Sequence, residues 1–534
     1  MGSHILKRAA ELKATRGLWE AHWSEIAERI LPHQNNFIFN RPAGDKRTEK
    51  IYDSTGALAL TKFAAAMESM LTPRSQRWHR LTTSNPDLNE DMDVRLWFED
   101  VTKILFSARY SPEANFASQQ HEVYMGLGAF GTGCLFIDDL LGEGLRYRTI
   151  HLGEIFIEED FQGRIDTVYR NFSLTARQAV QKFGERTPEK IRETAESKPA
   201  TKFKFVHCVS PNKDIDVTKS DHRGMKFKSV YVAEEGATIV QEGGYHTFPY
   251  ATSRYVTAPG EVYGRSPAMI VLPDIKMINE MSKTNIRAAQ KSVDPPLLLT
   301  EDGILGGINM TPNAVNYGGV DSRTGKQNVV PLNTGARVDI GLEMENQRRT
   351  AINDAFLVTL FQILVETPQM TATEVLERAR EKGALLTPTV GRQQSEALGP
   401  MIERELDILS RAGALPPMPD LLVEAEGEFE IEYDSPLNRA QRAEEAVGLF
   451  RTIEGMAPLA QTNPEVMRRF DGDEILKGLA EINGMPTKWL KEDERLAAED
   501  EQAAQAQQAQ QLLEAAPVAA DVAQKLQVTQ AGAG

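Results

Sequence analysis

Gly126-Leu127-Gly128-Ala129-Phe130-Gly131 has the G-x-G-x-x-G spacing that cradles a pyrophosphate when a strand precedes it and a helix follows, because the helix N-terminus then offers free N–H groups to the anion. Here the order is reversed. A helical stretch comes first and the strand-like Cys134-Leu135-Phe136-Ile137 follows, so the glycines read as a tight helix-to-strand turn and not as a nucleotide site. His121-Glu122 opens a zinc-hydrolase pattern without its second histidine, and the nine histidines show no paired ligand spacing. Asp138-Asp139 and Glu158-Glu159-Asp160 offer neighbouring carboxylates for acid–base work or cation binding, but such runs at strand ends read as solvated turns. No Gly-x-Ser-x-Gly or P-loop sequence is present. These patterns assign no catalytic residue, no cofactor and no metal.

Lys276, Lys283, Arg287 and Lys291 recur at spacings of seven and four, which places them within about 80° of one another on a helix turning 100° per residue. Two readings stand: a solvated face salt-bridged to Glu343 and Glu345, or a surface that meets an anion. The helix that carries them is expected over 266–292, with Met277, Ile278, Met281 and Ile286 as its apolar residues. A second begins near Asp339 and aligns Leu342, Ile352, Phe356, Leu360 and Ile363. Between them, 293–336 opens on Asp294-Pro295-Pro296 and holds Gly303, Gly306, Gly307, Gly318, Gly319 and Gly325, too many turn formers for a helix. Its apolar runs 297–299 and 329–332 suggest short paired strands, and the two long helices are expected to pair antiparallel with this insert at their tip.

A helix is expected over 6–31, with Trp19, Trp23, Ile26 and Ile30 inward and Pro32 ending it. Others start at Asp53 or Ser54, at Asp93 and after Ser111-Pro112. From Gly133 to about Tyr255 the period changes to that of short strands (134–138, 145–150, 165–172, 203–208, 229–233), interrupted by one helix at 175–183. Glu366-Thr367-Pro368-Gln369 breaks the second long helix, and Thr371 with Glu374 forms a capping box that starts another. Phe429–Tyr433 alternates as a strand expected to return to the earlier sheet. The tail beyond Glu499 is rich in Ala and Gln.

The 534 residues, 41% of them hydrophobic, exceed one ordinary domain, so several subdomains are expected. Lys and Arg total 60 against 76 Asp and Glu, a net charge of −16 that argues against wrapping DNA by bulk basicity. A wall along which a polyanion slides suits that balance better. Cys134 and Cys208 are far apart and outside any Cys-x-x-Cys spacing, as in a reduced, cytosolic assembly history. No apolar run is long enough to span a bilayer, and no membrane partner is expected.

The order of Met70-Leu71-Thr72-Pro73, Trp78, Tyr263-Gly264-Arg265-Ser266-Pro267, Asp294-Pro295-Pro296 and Met370-Thr371-Ala372-Thr373-Glu374-Val375 resembles the portal, or head-to-tail connector, proteins of short-tailed bacteriophages (podoviruses), over roughly 6–489. The resemblance implies a mainly helical α+β portal fold: a wing at 1–265, a long-helix stem at 266–292 and 337–363, and a small α/β clip at 293–336. It further implies a tunnel loop, long wing helix and return strand at 364–436, a helical crown at 437–495 and a tail at 496–534. It implies a homododecameric ring, without enzymatic activity, at one capsid vertex of the virion, assembled in the host cytoplasm, through which double-stranded DNA is packaged, retained and ejected. The implied partners are the terminase large subunit, tail adaptor proteins, and capsid and scaffold or internal core proteins. ATP hydrolysis then belongs to the motor. In this frame Lys276, Lys283, Arg287 and Lys291 are DNA-channel candidates. Thr367, Pro368, Gln369 and Met370 form the tunnel loop, and Arg323 and Lys326 are candidate clip contacts with motor or tail. The competing expectations are a nucleic-acid processing enzyme, which lacks a convergent metal or nucleophile constellation, and a monomeric structural adaptor at the virion vertex, which the large mixed wing disfavours.

Overall fold

The computed structural model describes residues 1–38, 44–49, 51–139, 144–216, 218–219, 221–299, 307–333, 335, 338–359, 387–425, 427–434, 448–455, 470, 472–482 and 489. The chain forms two compact units, Met1–Trp78 with Ile104–Leu415, and His79–Lys103 with Pro416–Gly534. The described residues are of the mainly helical α+β class.

The first unit begins with α1 (Gly2–Thr15) and α2 (Gly17–Ile30). Periodicity alone predicts one helix here, but the chain breaks at Arg16. Its buried guanidinium turns inward to donate to the carbonyls of Leu152 at 3.0 Å, Gly153 at 3.2 Å and Ile155, and lies 4.0 Å from the Phe156 ring centroid. Gly17 eases the break. Trp23 is fully buried, and its indole N–H donates to Phe130 O at 3.1 Å, tying α2 to the end of a later helix. After β1 (His79–Thr82) come α3 (Thr55–Leu71) earlier in the chain, then α4 (Pro86–Glu90), α5 (Met92–Arg109) and α6 (Phe116–Phe130). β1, α4 and the first part of α5 belong to the second unit.

β2 (Thr132–Asp139), β3 (Leu145–Thr149) and β9 (Tyr250–Arg254) make an antiparallel sheet in the order β3-β2-β9. A five-stranded antiparallel sheet runs β4 (Ile155–Glu159), β5 (Ile165–Thr175), β6 (Lys202–Pro211), β7 (Phe227–Ala233) and β8 (Thr238–Tyr245). Alternation along β6 and β7 divides its faces. Val206, Cys208, Val230 and Val232 pack on Ile5 and Ala9 of α1, whereas Phe205, Tyr231 and Ala233 pack under α7 (Ala176–Phe183) and α8 (Glu189–Ser197). The expected single helix of this region is therefore two; α8 buries only Ile191 and leaves little apolar period to read.

α9 (Pro267–Val293) leads to β10 (Leu297–Leu299), which pairs antiparallel with β11 (Val329–Pro331), and α10 (Val338–Ala355) returns. Arg348 on Asp274 at 2.9 Å and Asn285 on Glu345 at 2.6 Å fix α9 and α10 as antiparallel neighbours. Leu360 and Ile363 lie outside the described residues. The helix over 387–411 contains a π-turn, Gln394–Leu398, before α11 (Gly399–Arg411).

In the second unit α12 (Asp420–Glu424) precedes β12 (Glu430–Tyr433), and α13 (Gly472–Ile482) follows. β12 does not return to the five-stranded sheet as expected. It forms a two-stranded ribbon with β1, in which Arg80 is opposite Glu432 and donates to it at 2.7 Å. This cross-strand ion pair selects the register.

Candidate channel surface

The base of α9 is fixed by the glycine motif that resembles a nucleotide loop. α6 precedes it and β2 follows, which confirms the helix-to-strand turn. Gly131 ends α6 in the left-handed region at φ 78°, and a Cβ there would collide with the Gly264 backbone. That close crossing lets Tyr255 N–H reach Gly131 O and Gly264 N–H reach Thr132 Oγ1, each at 2.9 Å. Ser266 then donates to Ala129 O at 2.8 Å while its oxygen accepts from Met269 N–H at 3.1 Å, capping α9, and Pro267 takes the first helical position.

From this anchored base α9 changes character along its length. Ala268, Val271, Leu272, Ile275 and Ile278 are buried, and beyond Ser282 nothing is. Ile286 is 48% exposed and Leu342 of α10 is 49% exposed, so these two apolar residues do not pack within the chain as their periodicity predicts. The outer halves of α9 and α10 are joined by polar side chains instead. Arg349 donates to Asp53 at 3.0 Å and to Glu345 at 2.9 Å. Burial would raise the Asp53 carboxyl, but hydrogen bonds from Thr55 and Arg349 outweigh it and hold the group below its ordinary value. Ile352 and Phe356, by contrast, are fully buried, with Phe356 edge-on to Phe63 at 6.2 Å.

The four cations of α9 differ in their engagement. Lys276 donates to Glu25 at 2.7 Å, and that bond, ahead of burial, which opposes it, sets the Glu25 carboxyl below its ordinary range. Lys283 pairs with Glu280 at 3.3 Å and stands 5.5 Å from the Tyr52 ring centroid. Arg287 and Lys291 are exposed, and among the described residues neither has an ion-pair partner. The anticipated bridges from the stripe to Glu343 and Glu345 do not form, because Glu345 is occupied by Asn285 and Arg349. In the 307–333 segment Asp321 shapes a turn by accepting from Arg323 N–H at 2.9 Å and from Thr324 Oγ1 at 2.6 Å, leaving the Arg323 and Lys326 side chains exposed. Thr367, Pro368, Gln369 and Met370 lie outside the described residues.

Two buried arginines besides Arg16 were not foreseen. Arg109, with no exposed surface, is held by the equally buried Glu405 at 2.5 Å, which also accepts from Tyr147 OH at 2.5 Å; the Trp78 ring centroid is 4.6 Å from the guanidinium. Thus the Trp78 that marks the family pattern covers a buried charge. Arg254 joins β9 to the π-turn through Glu396 at 2.7 and 3.0 Å and also pairs with Glu159. Local sequence gave no signal for partners 296 and 142 residues away. Among the described residues no group of three His, Cys, Asp or Glu side chains is placed to hold a metal, and no helix is long and apolar enough to cross a membrane.

A probable portal protein of Bordetella phage BPP-1 is 32% identical, over 98% of this chain and 94% of its own length. The portal protein of Salmonella phage epsilon15 is 29% identical, over 95% of this chain and 92% of its own. A solved virion of a native gene transfer agent particle aligns with 78% of this chain and 92% of its own at 13% identity and a TM-score of 0.34, too low to bear on the fold. The sequence model described as the bacteriophage head to tail connecting protein matches residues 3–490. With nearly the whole chain matched, and with two relatives aligned almost end to end, the chain belongs to the bacteriophage head-to-tail connecting protein family.

Proposed function

We propose that copies of this chain close into a dodecameric ring at one capsid vertex and that double-stranded DNA passes along its axis during packaging, retention and ejection. The observation that carries this reading is the hairpin of α9, 293–336 and α10, which in the single chain leaves Ile286, Leu298, Leu299, Ile340, Leu342 and Met344 exposed. So much exposed apolar surface on one projection needs a partner, and a head-to-tail ring supplies one to every copy. Arg287 and Lys291, free of ion pairs among the described residues, then recur around the axis as a basic collar on an otherwise acidic protein. Weak, salt-sensitive phosphate contacts of this kind guide DNA without trapping it.

In this reading residues 1–265 are the wing, α9 and α10 the stem, 293–336 the clip and 437–495 the crown. Arg323 and Lys326 face the terminase large subunit during filling and tail adaptor proteins afterwards, with capsid and scaffold or internal core proteins around the ring. The chain itself catalyses nothing. Native mass spectrometry of the purified protein tests the assembly. Twelve copies of the 59.4 kDa chain are expected, and a stable monomer at micromolar concentration would refute the ring.

A further inference from the structure

A second group of cations lies away from α9, where the two sheets of the first unit meet. Arg170, His207 and Tyr231 are cross-strand neighbours on β5, β6 and β7. The His207 and Tyr231 rings stack with centroids 3.9 Å apart and planes inclined by 2°. Both ring nitrogens of His207 are occupied, one by Tyr250 OH at 2.7 Å and the other by Ser229 Oγ at 2.9 Å, and Tyr250 belongs to β9 of the three-stranded sheet. Phe136, opposite Tyr250 in register, meets His207 edge-on at 6.1 Å, and Arg148 is the cross-strand neighbour of Phe136 on its other side. Lys182, in the last turn of α7, reaches over this row. Its Nζ is 4.4 Å from the Tyr231 centroid and 6.0 Å from that of Phe172, whose ring also lies 4.9 Å from the Arg170 guanidinium.

The charges here are unevenly matched. Arg170 is paired with Glu154 at 3.0 Å. Arg148 and Lys182 have no ion pair or hydrogen bond from their side chains among the described residues, although both are accessible to solvent. Burial and then Arg170 hold Arg148 below its ordinary range. Burial does the same to Lys182, opposed by Asp138 and reinforced by Arg170 and Arg148. In a chain of net charge −16, carboxylates to neutralise both cations are plentiful, yet here the cations repel each other. An oxyanion between them would relieve that repulsion and supply the missing acceptors.

We propose that Arg148, Lys182 and Arg170 form an oxyanion-binding cleft that takes a phosphate group, either free or carried on nucleic acid. Two unpaired cations match the charge of a phosphate dianion, or of two successive phosphodiesters, better than that of one carboxylate. The Arg148 fork and the Lys182 ammonium offer donors from two directions. Cation–π packing of Lys182 on Tyr231 accounts for one side chain alone and gives no reason for Arg148 to lie within its field.

The test is a titration of the full chain with inorganic phosphate at ionic strength held constant with chloride, followed by thermal unfolding, for the wild type, Arg148→Gln and Lys182→Gln. The wild type should show a saturable rise in Tm. Each variant should need about tenfold more phosphate, the effect of losing one charge-assisted hydrogen bond. Without phosphate, Arg148→Gln should melt no lower than the wild type, since it removes a repulsion and no bond. A duplex oligonucleotide that displaces phosphate from the wild type, read by phosphorus NMR line width, assigns the site to nucleic acid; failure to displace it assigns free phosphate. No saturable rise, or the same rise in all three proteins, overturns the proposal.

Discussion

At the scale of single residues, the fold is held by buried polar groups more than its composition suggests. Glu405 is enclosed with Arg109 and Tyr147, so Glu405→Gln leaves a guanidinium buried without its counter-charge. Urea unfolding should show a loss of about 3–5 kcal/mol; a loss below about 1 kcal/mol would mean that the pair is not enclosed. His207 gives a pH signature. Burial, then Lys182 and Arg170, hold its imidazole neutral far below the ordinary range, so on acidification the unfolded chain takes up the proton first. Stability should therefore fall as pH drops below about 6.5, by up to about 1.4 kcal/mol per unit, and His207→Gln should flatten that slope. Parallel curves for the two proteins between pH 6.5 and 5 would exclude this role. The sequence marks Gly131 as a turn, and Trp78 and Ser266 as parts of an ordered pattern. It offers no sign that Arg16, Arg109 and Arg254 turn inward, because their partners come from distant elements and an arginine in an amphipathic helix ordinarily faces water.

At the scale of elements, α9 and α10 separate folding from assembly. Ile352 and Phe356 are fully buried within the first unit, so Ile352→Asp or Phe356→Asp should abolish the cooperative unfolding transition. Leu342, half exposed, should tolerate Asp in the fold, and Leu342→Asp should instead leave folded chains that sediment as monomers. Folded monomers from Ile352→Asp, or rings from Leu342→Asp, would reverse that placement. Deleting Thr367 to Met370 with a short Gly bridge should spare the ring and lower the genome content of each particle, since Pro368 and the Thr371 cap hold a segment proposed to narrow the channel. Full, stable heads from that deletion would reduce the segment to a surface connection. Both long helices and the β10–β11 pair were legible, because period 3.6 and the Pro and Gly punctuation agree there. The division of α1 from α2 was not, since it depends on where Arg16 finds carbonyls. Strands β4 and β8 also escaped, one ending in Glu158-Glu159 and the other carrying Gly243-Gly244, which read locally as turns.

At the scale of the whole molecule, an acidic protein that conveys DNA must confine its attraction to a few places, and the α9 cations differ accordingly. Lys276 and Lys283 are already satisfied within the chain, which leaves Arg287 and Lys291, one turn apart on the outer half of α9, as the pair to face DNA. The same outer half carries exposed apolar residues, so one projection must present one face to its neighbours and another to the axis. Electron cryomicroscopy of the assembled full-length chain tests this most directly. The account predicts a closed twelve-fold ring in which Leu342 and Ile286 are covered by the adjacent copy while Arg287 and Lys291 project into the central channel. A ring whose α9 cations point outward, with Leu342 and Ile286 still in solvent, would contradict it.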